Sequence, residues 1–381
     1  MNSIVAQERI IALRKKRSAQ DLRFKYYGFI AMCLALAVLV FLLYSIFSRG
    51  FSAFQKTTIL LEINYDQEVL KLTPDSTDQE IEKGKFFKVK KNALNNVFEN
   101  LSKSDAKLIK KLFSTNIDKE IKNYYIDNPS VLNTTQKLWV TAHSNVDQML
   151  KGNSRRDVPE DRRKLNDIQL SFIDQLVEED RIQKEFNNFF FTRADSRHPE
   201  IAGIAGSFMG SLLTLFVVFI LSFPIAIGAS VYLEEFAPKN KLTELIEVNI
   251  SNLAAVPSIV FGLLGLGVLL NVFGFPRSTP LVGGTVLALM TLPTIIIACR
   301  ASLKAVPPSI KEGALAIGAT KSQAVFHHVV PLALPGTLTG TIIGLAQALG
   351  ETAPLIMIGM VAFIPNIPTG ITEPSASLPV Q

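Results

Sequence analysis

The stretch PPSIKEGALAIGATKSQAVFHHVVPLALP, residues 307–335, separates two long apolar segments and decides the interpretation of this chain. Ser309 is a good N-cap, and Glu312 follows at the spacing of a capping box. Gly318 then occupies a position where a left-handed residue commonly ends a helix. The spacing predicts a short helix over residues 310–317, followed by a glycine elbow.

A second helix is predicted after the elbow. Thr320 and Gln323 repeat the capping-box spacing, and Pro331 is expected to end or kink the helix they open. A helix, an elbow and a second helix can present one short helix to a groove on a partner. A well-capped connecting loop without a partner is the alternative that capping alone leaves open.

The same stretch superficially resembles a phosphate-binding loop, because Gly318, Lys321 and Ser322 lie close together. A P-loop needs glycine directly before the lysine, after a strand, so that backbone amides surround the phosphates. Here two residues intervene and no strand precedes them. The chain is therefore not expected to hydrolyse ATP itself.

Five blocks of the chain contain no charged residue, and each is long enough to cross a membrane. The chain has 381 residues, 48% of them hydrophobic, and a mean hydropathy of +0.28, so it is more apolar than most soluble proteins. Five core helices of a soluble protein are the alternative, but such helices rarely run past roughly 20 residues without charge. The blocks are residues 27–48, 201–233, 248–276, 278–299 and 329–350.

Basic residues within positions 1–26 precede the first block and predict a cytoplasmic amino terminus. A basic arm for nucleic acid or lipid head groups is the alternative, but topology explains these charges, so no nucleic-acid partner is expected. The run 27–48 is too long for a cleavable signal peptide, and no clear cleavage site follows it. The basic residues are Arg14, Lys15, Lys16, Arg17, Arg23 and Lys25.

Residues 50–197 are predicted to form an external, soluble α+β domain inserted after the first span. TTILLEINY, residues 57–65, has the composition of a strand. The segment contains no catalytic constellation, so its role stays open. Helical patterns occur near residues 91–113, 115–126, 144–151 and 164–190.

Residues 201–381 are predicted to form an α-helical transmembrane domain. Lysine and arginine residues at each inner loop place segment 307–328 in the cytoplasm. The amphipathic segment LTELIEV, residues 242–248, is expected to lie along the membrane surface. Five spans leave the tail 365–381 outside, which suggests that the chain stops before another span. The last four spans are expected at about residues 203–233, 249–274, 280–299 and 334–364.

The spacing within the opening stretch resembles the EAA loop of ABC-importer permeases. That pattern is Glu-Ala-Ala, three residues, Gly, nine residues, then Ile-x-Leu-Pro. Gly313, His328 and Val330 depart from it by replacing an alanine, the isoleucine and the leucine. The resemblance implies that this loop holds a coupling helix that docks on an ATPase subunit. The matching positions are Glu312, Ala314, Gly318 and Pro331.

Three further segments, residues 252–267, 290–307 and 350–356, look like the A subunit of phosphate-specific transport permeases. The external domain resembles an extra domain found in one branch of that family. The resemblance implies a type I importer permease fold in a bacterial inner membrane, and a sixth span in complete members. It also implies three partners besides membrane lipid: an ATP-binding subunit dimer, a second permease of the C type and a periplasmic phosphate-binding protein.

Two ionisable residues are candidates for the translocation path. Arg300 can bind a phosphate bidentately, although a positive-inside anchor is the alternative. Glu351 interrupts an apolar run, and an intramembrane carboxylate usually faces a protein interior and is paired or protonated. We expect it to pair with a basic group, for example on a second permease, and an interfacial position is the alternative. Gln347 and Thr352 are placed nearby as hydrogen-bond donors.

The sequence thus predicts a transporter subunit that needs no cofactor. Cys33 and Cys299 lie in or at the ends of spans, and the four histidines have no metal-ligand spacing. A membrane sensor with an external ligand-binding domain is one alternative, and a proton-coupled secondary transporter is another. Neither of these needs a docked coupling helix.

Overall fold

The computed structural model describes residues 2–73, 76–97, 102–361 and 363–381. The side chains before residue 20 lie outside this description, so four of the basic residues behind the topology prediction are not observed. The described chain divides into two compact units, which we treat separately. One contains residues up to 113 and 125–187, and the other contains residues 114–124 and 188–381.

The first unit begins with a single long helix, α1, over Asn2–Gly50. Its segment Gln20–Phe54, which includes a terminal 3₁₀ turn over Phe51–Phe54, is long and apolar enough to span a membrane. None of its apolar window is buried inside the chain.

A three-stranded antiparallel sheet with the order β2-β1-β3 follows α1. Strand β1, Gln55–Asn64, lies in the centre, with Thr58 opposite Thr141 of β2 and Gln183 of β3. The predicted strand over residues 57–65 is therefore confirmed. The flanking strands are β2 over Thr135–Thr141 and β3 over Ile182–Phe186.

The predicted helix over residues 164–190 is wrong in its second half, because the chain turns at Asp180 and enters β3. Asp180 has a φ of 52°, a left-handed conformation that ends α8. Buried aliphatic and aromatic side chains, including Ile59, Leu61 and Tyr125, fill the core. The helices of this part of the chain are α2 Gln67–Leu70, α3 Asp78–Lys83, α4 Phe86–Asn96, α5 Lys103–Ile109, α6 Ile117–Asp127, α7 Ser144–Leu150 and α8 Asp167–Glu178. Most of α6, residues 117–124, belongs to the second unit.

The second unit consists of apolar helices after a short helix α9, Asn188–Thr192. The helical turn widens at Tyr232–Phe236, Gly265–Val272 and Val325–Val329, and a break in the helix lies at Val256–Pro257. The remaining helices are α10 Ala205–Val231, α11 Lys241–Ala254, α12 Ser258–Leu264, α13 Pro280–Lys304, α14 Pro308–Ala316, α15 Lys321–Ala324, α16 Val330–Gly350 and α17 Ala353–Met357.

The single span expected over residues 249–274 is wrong in form. Helix α11 and the helix over Ser258–Val272 meet at an angle of 101°. Pro257 lies at this break, where its ring cannot supply the N–H that a continuous helix requires. Helix α11 also contains the amphipathic segment 242–248 and extends it by six residues beyond Val248.

Helices α13 and α16 approach closely because small residues recur every four positions on α16. A Cβ atom added at Gly340 would lie 2.3 Å from the Ala298 Cβ, and one at Gly336 would lie 2.4 Å from the Ser302 Oγ. Gly344 makes the same kind of approach to Ile295. Such small-residue stripes are typical of helix contacts in membranes.

The tail after α17 packs on the spans of the same unit. The Leu378 N–H donates to the Ser211 Oγ at 2.9 Å, and the Ser375 N–H donates to the Ser278 carbonyl at 2.7 Å. Gly210 provides the space, since a Cβ there would lie 2.1 Å from the Ala376 carbonyl oxygen.

In the described part of the chain, four continuous helices are long and apolar enough to span a membrane, or five when the bent pair counts as one. The predicted fold class is confirmed: the protein is an α-helical polytopic membrane protein with an α+β domain after the first span.

Candidate functional site: the segment 307–335 and its ion pairs

The first helix of this segment, α14, begins two residues earlier than the capping signal predicted. Pro308 occupies its first position after Pro307, and no side chain caps the amino end. The predicted N-cap role of Ser309 is therefore wrong. Proline is favoured at the first helical position because its fixed φ suits the helix and its missing N–H would be unpaired there anyway.

Gly318 ends α14 in the predicted left-handed conformation, with a φ of 93°. The Gly318 N–H donates to the Leu315 carbonyl at 3.0 Å, and the Ala319 N–H donates to the Ala314 carbonyl at 3.1 Å. These two bonds form a Schellman motif, which satisfies carbonyl groups at a helix end. The elbow is therefore a defined turn.

The second capping box is confirmed. The Thr320 N–H donates to Gln323 Oε1 at 2.9 Å, and the Gln323 N–H donates to Thr320 Oγ1 at 3.3 Å. Pro331 does not end the helix that follows, because one continuous helix runs over Lys321–Gly350. A wide π-helical turn over Val325–Val329 precedes the proline and accommodates its missing donor.

The predicted coupling residues separate into exposed and buried positions. Glu312, Gly313 and Gly318 are exposed, whereas Ala314 is buried and faces the rest of the unit. Ile317, at the elbow, is 86% exposed. An isoleucine exposed to this degree beside a rigid turn is a suitable contact for a groove on another protein.

Lys311 connects α14 to the end of α10 through an ion pair with Glu235, whose side chain is largely buried. An aromatic contact supports this junction, since Phe236 stacks on Phe326 with ring centroids 6.3 Å apart. Lys321 Nζ lies 5.2 Å from the centroid of the Phe236 ring, within the range of a cation–π interaction.

Apolar packing extends this junction into the spans. Val325 and Val329 of the π-helical turn pack in one buried cluster with Val231 of α10 and with Cys299 and Leu303 of α13. Packed interiors transmit displacement because they have few voids. This cluster and the Lys311–Glu235 ion pair therefore connect the segment to α10, α13 and α16.

Arg300 lies at the centre of a second ion-pair group. Its Nε is 3.3 Å from Glu234 Oε2, and its Nη2 is 2.9 Å from Glu247 Oε1. Lys304 Nζ is 3.6 Å from the same Glu234 oxygen. The group joins α13 to the end of α10 and to α11, so Arg300 holds three helices together.

The other predicted path residues cluster at the far end of α16. Gln347 is exposed on its last turns, Glu351 is the residue directly after the helix, and Thr352 precedes α17. The span expected over 334–364 thus ends at Gly350, and Glu351 occupies the break instead of the span interior. No basic side chain of the described residues pairs with it. The structure brings Gln347, Glu351 and Thr352 together and places Arg300 elsewhere.

Sequence reasoning missed the carboxylate partners Glu234, Glu235 and Glu247. The sequence signal was present, because two adjacent glutamates end an apolar block and basic residues end the block at residue 299. The partners are far apart in the chain, however, and the register between α10 and α13 is set by packing.

Residues 222–377 match the family described as binding-protein-dependent transport system inner membrane component. Residues 12–160 match a domain of unknown function, DUF3333. The first match includes α11 to α17 and the whole candidate site. The second includes most of α1 and the sheet strands β1 and β2.

Relatives align with less than half of this chain. A probable ABC transporter permease protein, YqgI, of Bacillus subtilis is 31% identical over 44% of this chain and 56% of its own length. The phosphate transport system permease protein PstC of Haemophilus influenzae is 32% identical over 45% and 61%. A probable PstA of Methanocaldococcus jannaschii is 30% identical over 47% and 62%. The aligned region thus spans less than two thirds of each relative.

Among solved structures, an amino acid ABC transporter is 22% identical, covering 41% of this chain and 71% of its own, with a TM-score of 0.33. The predicted similarity to phosphate-type permeases is confirmed by the relatives, which include both A and C subunits. The carboxy-terminal part of this chain, residues 222–377, is therefore similar to the inner membrane components of binding-protein-dependent transport systems.

Proposed function

We propose that this protein is a permease subunit of an ATP-driven phosphate importer in a bacterial inner membrane, with its amino terminus in the cytoplasm. Its work is conformational, and ATP is hydrolysed by a separate ATP-binding subunit dimer. The observation that carries the proposal is the build of segment 307–335 within a region that matches a transport family. Its elbow is exposed, and its residues Val325 and Val329 pack with α10 and α13.

Coupling follows from the arrangement of that segment. The exposed Glu312, Gly318 and Ile317 meet the ATP-binding subunit, and Ala314 faces this unit. The Lys311–Glu235 pair and the cluster around Val325 then carry a movement of α14 to the spans. Alternating access by movement of packed helices is an established form of conformational switching.

The proposed translocation path includes Gln347, Glu351 and Thr352 at the end of α16. An ionised Glu351 repels a phosphate, so we assign it to the gate, paired with a basic group of a second permease of the C type. Arg300 is included with a condition: its guanidinium must leave Glu234 and Glu247 before it meets an anion. The phosphate substrate is supported by the names of the PstA and PstC relatives. The description of the matching family, a binding-protein-dependent transport system, supports a periplasmic phosphate-binding protein as the external partner.

Co-purification with the ATP-binding subunit tests the coupling role. We expect the full-length natural chain to retain that subunit, and the variants Glu312→Arg and Gly318→Val to lose it. Glu244→Arg is the matched control, because Glu244 is an exposed glutamate in the first turn of α11. Failure of the wild-type chain to retain an ATP-binding subunit would remove the proposal.

A further inference from the structure

A basic cavity of about 670 Å³ lies in the second unit, at the Ala205 end of α10. The ion-pair group around Arg300 meets the other end of α10. The 27 residues of that helix separate the two ends by about 40 Å, at 1.5 Å per residue. If the elbow faces the cytoplasm, this cavity opens on the external side.

Arg193 lines the cavity and is held in a fixed position. Its backbone carbonyl accepts from the Ala205 N–H at 3.0 Å, and its N–H donates to the Phe189 carbonyl at 3.0 Å. Its guanidinium carbon lies 3.5 Å from the centroid of the Phe189 ring. Stacking on a ring face leaves the N–H donors in the guanidinium plane available to a ligand.

The guanidinium has no hydrogen bond or ion pair with any residue that the structure describes. Burial lowers the pKa of Arg193, and the charge of Glu120 partly offsets this effect. A partly buried cation without a direct partner is unfavourable until an anion arrives. The position is therefore suited to transient binding of an anion.

A second donor points to the same ligand. Asn116 lines the cavity, is only 8% exposed, and its side-chain amide makes no hydrogen bond within the described ranges. Because Asn116 lines the cavity, its N–H donors are available to an acceptor that binds there. Lys119, Lys122 and Asn123 also line the cavity, together with one acidic residue, Asp195, whose Oδ1 accepts from the Ser196 N–H at 2.8 Å.

We propose that this cavity is an external entry site for a tetrahedral oxyanion of the phosphate class, bound by Arg193, Asn116 and Lys119. The inference rests on the proposed function and adds a site where the anion is held before it passes the spans. A phosphate can accept hydrogen bonds from several directions at once, which suits donors that lie on two chain segments. The recessed amide of Asn116 favours a small anion over the face of a protein.

Phosphate binding to the full-length chain alone, in maltoside micelles, tests the site. The readout is broadening of the ³¹P resonance of inorganic phosphate, which detects weak binding, with sulfate as a competitor. We expect saturable broadening that Arg193→Gln weakens about tenfold or more, and that Arg193→Lys partly retains. Arg197→Gln is the matched control, because Arg197 also faces an aromatic ring, Phe363 at 5.6 Å, but lies outside the cavity lining.

The proposal fails if the wild-type chain gives no saturable broadening, or if Arg193→Gln binds as the wild type does while keeping its thermal midpoint. It also fails if Arg193→Gln weakens only docking of the phosphate-binding protein, which would assign the cavity to protein contact. Phosphate binding that depends on Arg193, in a complex that does not import phosphate, would overturn the proposed function and leave the site standing. Import that continues without such binding would overturn the site and leave the proposed function standing.

Discussion

At the residue scale, two glycines in segment 307–335 differ in backbone conformation, so their replacement should have opposite effects on stability. Gly318 has a φ of 93°, whereas Gly313 is helical with open space around its Cβ position. We expect Gly318→Ala to lower the free energy of unfolding by about 1–2 kcal/mol, because the left-handed region is strained for alanine. Gly313→Ala should be neutral or stabilising by up to ~1 kcal/mol, because glycine is a poor helix former. Thermal midpoints of the two variants in micelles measure the difference, and equal midpoints would contradict the elbow geometry.

Arg300 also permits a test on single residues. If it holds α13 to α11, a double-mutant cycle over Arg300→Ala and Glu247→Ala should give an interaction free energy of ~0.5–3 kcal/mol. Its side chain is 17% exposed, so solvent screens the pair only partly. Lys304→Ala is the comparison, since that side chain is 59% exposed and its pair with Glu234 is longer. An interaction free energy near zero would show that Arg300 does not hold α13 to α11, which leaves only its role in the path.

A substitution at Glu351 distinguishes a role in the gate from a role in holding the subunits together. We predict that Glu351→Gln reduces phosphate uptake while the subunits still co-purify, because only the charge is removed and the side-chain shape is kept. Uptake of labelled phosphate by cells carrying the variant measures the effect, with Glu244→Gln as the control for loss of an exposed carboxylate. Unchanged uptake would remove Glu351 from the mechanism.

At the scale of elements, the prediction concerns the close contact between α13 and α16. We expect Gly340→Val to separate these helices, because even a Cβ at this position meets Ala298 at 2.3 Å. The thermal midpoint and the phosphate uptake should both fall. Gly228→Val is the control, since Gly228 lies inside α10 with no atom within 4 Å of its Cβ position. Equal losses in the two variants would show that helix propensity, not contact, is responsible.

Elements with strong local signals were predictable from the sequence. The Thr320 capping box and the Gly318 elbow depend on residues three or four positions apart, and both are observed. The strand β2 was missed because it depends on pairing with β1, which is distant in the chain. The break at Pro257 was missed because apolar residues continue on both sides of the bend. The Glu234, Glu235 and Glu247 partners escaped for the same reason, since helix packing sets their register.

The domain boundaries belong to the scale of the whole molecule and stay predictions. The external domain was expected over residues 50–197, whereas residues 114–124 and 188–197 cluster with the second unit. Residues of both segments line the proposed anion cavity, together with Ile201 and residues 365–367. The two compact units are thus interleaved along the chain, a feature that composition cannot reveal.

Phosphate uptake by proteoliposomes tests the central claim most directly. They would contain the full-length chain, a second permease, the ATP-binding subunit and a phosphate-binding protein. We predict inward movement of labelled phosphate that requires ATP and that is lost with Glu312→Arg but not with Glu244→Arg. Uptake that proceeds without ATP, or that is driven by a proton gradient alone, would contradict the account.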